Sequence, residues 1–468
     1  MTKNSDITAI ILAAGKGSRM NSDLPKVMHK VASCEMLQMV ILQVKKLSYR
    51  NIVIVISSEM QQFKQEIINK NSDINLFFAL QEERNGTAHA VMVAIDYLKK
   101  HQLKLAKQIL ILYGDTPLIT SDSINKLIIN NEQHQAAVSV LAFNETEDNR
   151  YGRLIVKAPF ANQNIENNQY VENIIEYKDA NQEQRNITLC NSGVMVIKGD
   201  IIDFLLSQVN NNNASGEFYL TDIVNIANHN QYLASFLLIS DKDEVLGVNS
   251  KLELANIESI IQKRLCESFL LSGVTVIDKA SVYFAFDTKI ANDVIIHPNV
   301  VFGPNVTIEK NVEIKSFSHI EGATIRNGAI IGPFARIRPN SDIGKDARIG
   351  NFVEVKNSNI DNNSKINHLS YIGDANIANN VNIGAGVITC NYDGYNKSNT
   401  NIEENVFIGS NSSLIAPVNI GAGSLIAAGS VITQNINAGD LAIARSSQEN
   451  IIDGAKKYHK KKQDLKKK

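Results

Sequence analysis

"IGPFARIRPNSDIGKDARIGNFVEVK", residues 331–356, places a branched aliphatic residue at every sixth position: Ile331, Ile337, Ile343, Ile349 and Val355. An α-helix repeats about every 3.6 residues and a flat strand about every 2, so neither explains the spacing. A six-residue period is that of a parallel β-solenoid, in which each hexad forms one side of a three-sided coil. The phase extends upstream through Ile290, Ile296, Phe302, Ile308, Ile314 and Ile320, and a five-residue step leads to Ile325. Downstream it continues through Ile360, Ile366 and Ile372, then Ile377 and Ile383, and finally Ile402, Ile408, Leu414, Ile420, Ile426 and Ile432. A small residue or glycine often follows the branched one, as in "IGKDAR" and "IGAGSL", and is expected at the corners of the prism. Between residues 389 and 402 the phase is lost in "TCNYDGYNKSNT". This segment is expected to leave the prism as a loop, and polar excursions from a regular scaffold are where sites are found.

The first half follows a different grammar. Up to about Gly247, short apolar runs at 52–56, 109–113, 137–141, 193–197 and 236–239 alternate with segments such as 37–47 and 88–99, whose apolar residues fall at helical spacing. That alternation predicts an α/β domain with a mostly parallel sheet. Ile7–Leu12 reads as a buried strand, and "ILAAGKGSRM", residues 11–20, carries the turn that leaves it. There Gly15 and Gly17 can offer backbone N–H groups to an anion. The stretch lacks the third glycine of a dinucleotide fingerprint and the Gly-Lys-Ser/Thr ending of a Walker loop. Residues 249–271 predict a connecting helix with Leu252, Ala255, Ile257, Ile260, Ile261, Arg264 and Leu265 on its apolar face. The expected organisation is an α/β domain at 1–247, a helical linker at 248–271, the solenoid at 272–445 and a basic tail at 446–468. The tail, ending "KKYHKKKQDLKKK", reads as a disordered, solvated end.

With 468 residues the chain is too long for one ordinary core. Its net charge of −1 gives no general attraction to nucleic acid or to an anionic membrane, so small-molecule partners are expected. Cys34, Cys190, Cys266 and Cys390 are scattered without disulfide or metal-ligand spacing, and the first residues lack the pattern of a signal peptide. No apolar run approaches the roughly 20 residues of a membrane span. These features predict a soluble cytoplasmic protein.

In order along the chain stand "LAAGKGSRM", "DLPKVMH", "GTAHA", "YGDTPL", "YGR", "EYKDA", "GEFYLTD" and "GVNS". The hexads follow, with "GPFARIRP", "GNFVEVK", "NHLSYIGD", "VNIGAG" and "TCNYDG". Over nearly its whole length the chain resembles the bifunctional bacterial enzymes that are both glucosamine-1-phosphate N-acetyltransferases and N-acetylglucosamine-1-phosphate uridylyltransferases. The resemblance implies a Rossmann-like α/β nucleotidyltransferase domain followed by a left-handed parallel β-helix, a homotrimer with acetyl sites shared between subunits, and synthesis of UDP-N-acetylglucosamine. For uridylyl transfer it implies that Leu12, Ala13, Ala14, Gly15, Lys26, Gln81, Gly86, Thr87, Tyr113, Gly114, Asp115, Gly152, Glu176, Asn191 and Asn249 contact UTP or the UDP-sugar. Arg19 and Lys26 would offset phosphate charge, and Asp115 with Asn249 would hold Mg²⁺. Asp115 stands just past the end of the run "ILILY", a usual place for a ligand-binding carboxylate in an open α/β sheet.

For acetyl transfer the resemblance makes His368 the base, with Glu354 inferred from the motif as the group that orients its ring. It assigns Arg338 and Lys356 to the sugar phosphate, and Tyr371 and Asn382 to the sugar. Asn391 and Tyr392 match further contacts of the sugar and of acetyl-CoA, while Ala385, Ser410, Ala428 and Arg445 match the acetyl-CoA track. The chain departs from the family pattern at Ala88, Ser192, Ala378 and Asn399, and the last of these leaves Lys397 as the nearer cation of its loop. Two other readings compete: a single-function sugar nucleotidyltransferase with a structural β-helix, and a nucleotide-sensing scaffold that has lost the chemistry.

Overall fold

The computed structural model describes residues 6–146, 149–156 and 169–466. The chain forms two units, Met1–Arg264 and Leu265–Lys468, so the division falls inside the helix Lys251–Leu271.

In the first unit the strands stand in the order Ala234–Leu238, Val138–Asn144, Leu189–Lys198, Gln108–Tyr113, Ile7–Leu12, Asn51–Ile56 and Leu76–Leu80. All neighbours in that series are parallel except those of Leu189–Lys198, which runs antiparallel on both sides. Because side chains alternate across a strand, the sheet builds a core on each face. Ile10, Val53, Val55, Ile109 and Ile111 pack with Val91, Ile95 and Leu98 of the helix Thr87–Lys100. On the opposite face Ile11, Ile52, Ile54, Leu110 and Leu112 pack with Leu37, Val40, Ile41 and Val44 of the helix Met36–Lys45, and with Ile124 and Leu127 of Ser121–Gln133. Strands buried on both faces read as continuous apolar runs, which is how they stood out in the sequence.

Two expectations for the linker and tail need correction. Leu252 is 73% exposed and Ala255 is exposed as well, while the helix buries Ile257, Ile261 and Cys266. At about 100° per residue Leu252 stands roughly 140° round the helix from Ile257, so one stripe cannot bury both. The basic tail contains a helix, Gly454–Lys466, without a buried residue, rather than an unstructured end.

The second unit is the left-handed parallel β-helix. Its strands stack into three sheets, the first running from Thr275–Val276 to Leu441–Ala442, the second from Val301–Phe302 to Val431–Ile432, and the third from Lys289–Ile290 to Val418–Ile420. Each inward residue sits on its counterpart in the next coil, as in Ile296 on Ile314 and Ile331 on Ile349, and these residues form one continuous core. The corners are turned by left-handed residues, usually three positions past the inward one: Asp293, Asn299, Asn305, Asn311, Asn340, Asp346, Asn363, Asn380, Asn405 and Asn411 all have φ between 56° and 62°. Asn and Asp tolerate this region better than other non-glycine residues. After Ile320, Val355 and Ile372, where the sequence steps by five, the left-handed residue moves one place closer, to Gly322, Asn357 and Asp374. The small residues that directly follow inward ones are therefore not the corners. They lie where successive coils press closest: a Cβ on Gly350 would run into the carbonyl of Asn367.

The corner between the first and second sheets departs from the Asn/Asp rule in four successive coils. There Phe317, Phe334, Phe352 and Leu369 are left-handed and 53%, 45%, 55% and 62% exposed. The three rings stack at 4.9 and 5.1 Å, forming an apolar ladder on the surface.

Candidate active sites

The crevice of the α/β unit opens where Ile7–Leu12 and Gln108–Tyr113 lie side by side and their chains leave in opposite directions, the usual ligand position in such sheets. Leu12, Ala13, Ala14, Gly15, Lys26, Gln81, Gly86, Thr87, Tyr113, Asp115 and Asn249 line one cavity there, of about 430 Å³. Gly114 stands behind it, its N–H donating to the Leu12 carbonyl at 2.9 Å and tying the two turns together. Arg19 is exposed on the short turn Ser18–Met20, outside that lining. Gly86 has φ +112°, and a Cβ there would collide with the backbone of Phe218, so only glycine fits.

Lys26 is the centre of this crevice. Its side chain is 11% exposed, and its ammonium donates to the Asp115 carboxylate and, at 3.1 Å, to Asn249 Oδ1. A solvated surface lysine would not be held in this way. Asn249 is brought there by backbone: the Val248 N–H donates to the Asp115 carbonyl at 3.0 Å. A capping box then starts the helix Lys251–Leu271, with Glu253 accepting from the N–H groups of Asn249 and Ser250 and Ser250 Oγ accepting from the Glu253 N–H at 3.2 Å. Two hard oxygens thus meet at a point already occupied by a cation, a donor set that fits a hard divalent ion whose remaining ligands are phosphate and water oxygens. Among the described residues no group of three His, Cys, Asp or Glu side chains offers a self-sufficient metal site.

A second cavity, of about 640 Å³, adjoins the first through Glu217, which lines both. It contains Glu176, whose Oε1 accepts from Thr221 Oγ1 at 3.0 Å. Gly152 backs onto that carboxylate, and its carbonyl accepts from the Asn191 N–H at 2.9 Å. Burial, reinforced by Asp222 and Asp179, pushes the Glu176 carboxyl up, and burial beside Asp179 pushes Asp222 up to about 6. Tyr113 feels carboxylates from both cavities: burial first, then Glu176 and Asp115, hold its hydroxyl well above the usual phenol range. Ala88 and Ser192, the departures near this region, are buried and hydrogen-bonded into the fold.

In the solenoid, stacking decides which residues meet. His368, Ala385, Ser410 and Ala428 all stand two places past an inward isoleucine of the first sheet, namely Ile366, Ile383, Ile408 and Ile426, which lie one above another. The base candidate and the small residues expected along acetyl-CoA therefore form one column, closed by Arg445 Nη1, which donates to the Ala428 carbonyl at 2.7 Å. The expected partnership of His368 with Glu354 is not found. Glu354 belongs to the second sheet and accepts from Arg338 at 2.8 Å, whereas His368 Nδ1 faces Asn351 Oδ1 at 2.7 Å on the coil beneath. Arg338 Nε is buried without a hydrogen-bond partner, and the Lys397 ammonium beside Lys356, with Arg338 nearby, pushes the pKa of Lys356 down, so three cations stand close together at this edge. Tyr371 stacks on Glu354 in the second sheet, while Asn382 is on the first. In the out-of-phase loop Tyr392 and Tyr395 are exposed, but Asn391 is 8% exposed and its amide donates to the Asp374 carboxylate, anchoring the loop.

Residues 8–243 match the family model for nucleotidyl transferases, and residues 287–322, 322–357 and 399–434 match hexapeptide-repeat models, two described for bacterial transferases and the last for succinyl-transferase. Proteins named bifunctional GlmU match the chain over nearly all of both lengths: that of Zymomonas mobilis is 45% identical over 99% of each chain, that of Paramagnetospirillum magneticum 43% over 97%, and that of Bartonella bacilliformis 41% over 94%. The chain belongs to the GlmU family. As a GlmU-family enzyme it makes UDP-N-acetylglucosamine by two transfers, of an acetyl group from acetyl-CoA to glucosamine-1-phosphate and of a uridylyl group from UTP to the N-acetylated sugar phosphate. Uridylyl transfer in the family uses a divalent metal ion. No helix among the described residues is long and apolar enough to cross a membrane.

Sequence reasoning passed over several residues of this GlmU-family chain. Lys16 and Arg84 line the nucleotide cavity as additional cations, Arg84 Nε donating to the Ala14 carbonyl at 2.9 Å and its Nη2 to Glu59 at 2.7 Å. The signal for Arg84 was its place between Gln81 and Gly86; for Lys16, its place in the glycine turn itself. Replacing Lys26 with Ala removes the ammonium shared by Asp115 and Asn249, and uridylyl transfer is expected to fall by about 10²-fold or more while acetyl transfer stays unchanged. Separate pyrophosphate-release and free-thiol assays on one preparation measure both.

Proposed function

We propose that the crevice around Lys26, Asp115 and Asn249 carries uridylyl transfer and that the column from His368 to Ala428 carries acetyl transfer. In the crevice an oxygen of N-acetylglucosamine-1-phosphate attacks the α-phosphorus of UTP in line, and pyrophosphate leaves, so the protein's task is positioning and charge neutralisation. Gly15 and its neighbours hold the triphosphate with backbone N–H groups. Lys26 and Arg19 offset its charge, and Gln81, Gly86 and Thr87 meet the uridine. Glu176, which lines the adjoining cavity, receives the sugar together with Gly152 and Asn191 behind it. Asp115 and Asn249 hold Mg²⁺, which neutralises phosphate charge when bound. The meeting of Asp115 and Asn249 on Lys26 is the observation that supports this assignment most, since it draws together residues 89 and 223 positions apart from that lysine.

In the solenoid the amine of glucosamine-1-phosphate attacks the thioester carbonyl of acetyl-CoA, His368 takes the amine proton, and the CoA thiolate leaves. Arg338 and Lys356, with Lys397 of the loop, bind the sugar phosphate. Ala385, Ser410 and Ala428 let the pantetheine arm lie along the prism, and Tyr371, Asn382, Tyr392 and Arg445 complete the two substrate contacts. The groups for one substrate lie on two sheets on either side of the exposed Phe317, Phe334, Phe352 and Leu369 ladder. Apolar surface of this kind supports a partner docked along that corner, and the family resemblance makes the assembly a homotrimer in the cytoplasm with acetyl sites shared between subunits.

Product analysis by mass spectrometry separates the two sites. With glucosamine-1-phosphate, acetyl-CoA, UTP and Mg²⁺, His368→Ala is expected to make UDP-N-acetylglucosamine only when N-acetylglucosamine-1-phosphate is supplied, and Asp115→Ala to stop at the acetylated sugar phosphate. Product formation from glucosamine-1-phosphate by His368→Ala would remove the solenoid assignment. For the assembly, sedimentation equilibrium is expected to give three copies for the wild type and predominantly single chains for Phe334→Asp; single chains in the wild type would refute the trimer.

A further inference from the structure

We infer that Asn351 is the positioning residue of the acetyl-transfer base: its side-chain oxygen takes the Nδ1–H of His368 and so leaves the lone pair on Nε2. This rests on the reading of His368 as the base. Asn351 and His368 are partners in the parallel register of the strands Arg348–Asn351 and Lys365–His368, one coil apart in the same column. Both backbones are held. The Asn351 carbonyl accepts from the Leu369 N–H at 3.0 Å, and the His368 carbonyl accepts from Ser370 Oγ at 2.9 Å and from the Gly386 N–H at 3.3 Å. From those fixed strands Asn351 Oδ1 reaches His368 Nδ1 at 2.7 Å.

A neutral imidazole has one donor and one acceptor nitrogen, and the bond made by one decides the role of the other. Binding Nδ1–H to an acceptor makes Nε2 the base. The choice of an amide has a further consequence. A carboxylate at this place would also fix the ring, but its charge would favour the protonated imidazole, which cannot accept a proton from the attacking amine. The neighbouring carboxylate, Glu354, is turned to Arg338 at 2.8 Å and lies 3.9 Å from Arg336, so its charge is taken up within the second sheet. Above His368 the same column holds only small side chains at Ala385, Ser410 and Ala428. Asn351 therefore has a role that neither its sequence motif nor its exposure announces.

The test uses the full-length protein with ¹⁵N-labelled histidine, read by solid-state NMR, with His368→Ala identifying the His368 signals. The wild type is expected to show His368 as a single Nδ1–H tautomer at a pH where the ring is neutral. Asn351→Ala is expected to lose that tautomer and to lower kcat for acetyl transfer by about 10- to 100-fold with KM for both substrates changed less than about twofold. Asn351→Asp, which keeps an acceptor oxygen, is expected to restore the single tautomer, and it also serves if the alanine variant does not fold. A wild-type kcat in Asn351→Ala would overturn the positioning role while leaving the base intact; an Nε2–H tautomer in the wild type would overturn both the positioning role and the choice of Nε2 as the accepting nitrogen. If His368→Ala itself acetylates at the wild-type rate, the base reading fails, and the role of Asn351 with it.

Discussion

Parallel stacking of each coil on the one below governs the acetyl-transfer half of this protein. Because the inward side chains stack like on like, two residues become neighbours when they occupy the same place in successive coils, normally 17 or 18 positions apart. Asn351 meets His368 by this rule and Asp374 meets Asn391, each pair 17 apart. The loop at 389–402 is accommodated by lengthening one coil, so that Ile383 stacks on Ile408 across 25 positions without loss of register. A site on such a scaffold is a column of chosen side chains, and its rigidity comes from the Ile and Val core rather than from the site residues themselves.

The nucleotide half obeys a different constraint. A lysine, a carboxylate and an amide far apart in sequence converge because three backbone features deliver them: the short turn Lys26–Met28 after Pro25, the end of Gln108–Tyr113 and the capped start of Lys251–Leu271. Glu253 contributes without facing the cavity, since its carboxylate fixes the two N–H groups around Asn249. The adjoining cavity adds two half-buried carboxylates, Glu176 and its neighbour Asp222, whose raised pKa values express the cost of charging them away from water. A sugar hydroxyl is a suitable partner for such groups, because it donates to a carboxylate and accepts from a carboxylic acid.

Much of the architecture was legible in the sequence because burial leaves a periodic trace. The six-residue period marked the inward residues one by one, and the apolar runs marked strands covered on both faces. The left-handed corners leave a trace as well: Asn299, Asn305 and Asn311 recur at the same six-residue interval, whereas the glycines after the isoleucines lie between coils and not at the corners. What the sequence did not carry was the choice between neighbouring sheets. Glu354 and Asn351 lie three residues apart and both stand within a coil of His368, but a corner intervenes, and only the one in the same column meets the ring. Leu252 failed for a similar reason, since apolar character was counted without measuring the angle round the helix. Lys16 and Arg84 escaped because a cation in a loop has no period to betray it.

The account rests on two separate kinds of catalytic site, one carried by each half of the chain, joined by a diffusible intermediate. Mixing the His368→Ala and Asp115→Ala proteins tests it most directly, with glucosamine-1-phosphate, acetyl-CoA, UTP and Mg²⁺ as the only substrates and metal supplied. The account predicts that neither variant alone forms UDP-N-acetylglucosamine and that the mixture does, the second protein acetylating and the first adding the uridylyl group. A mixture as inactive as its components, or an active single variant, would contradict it.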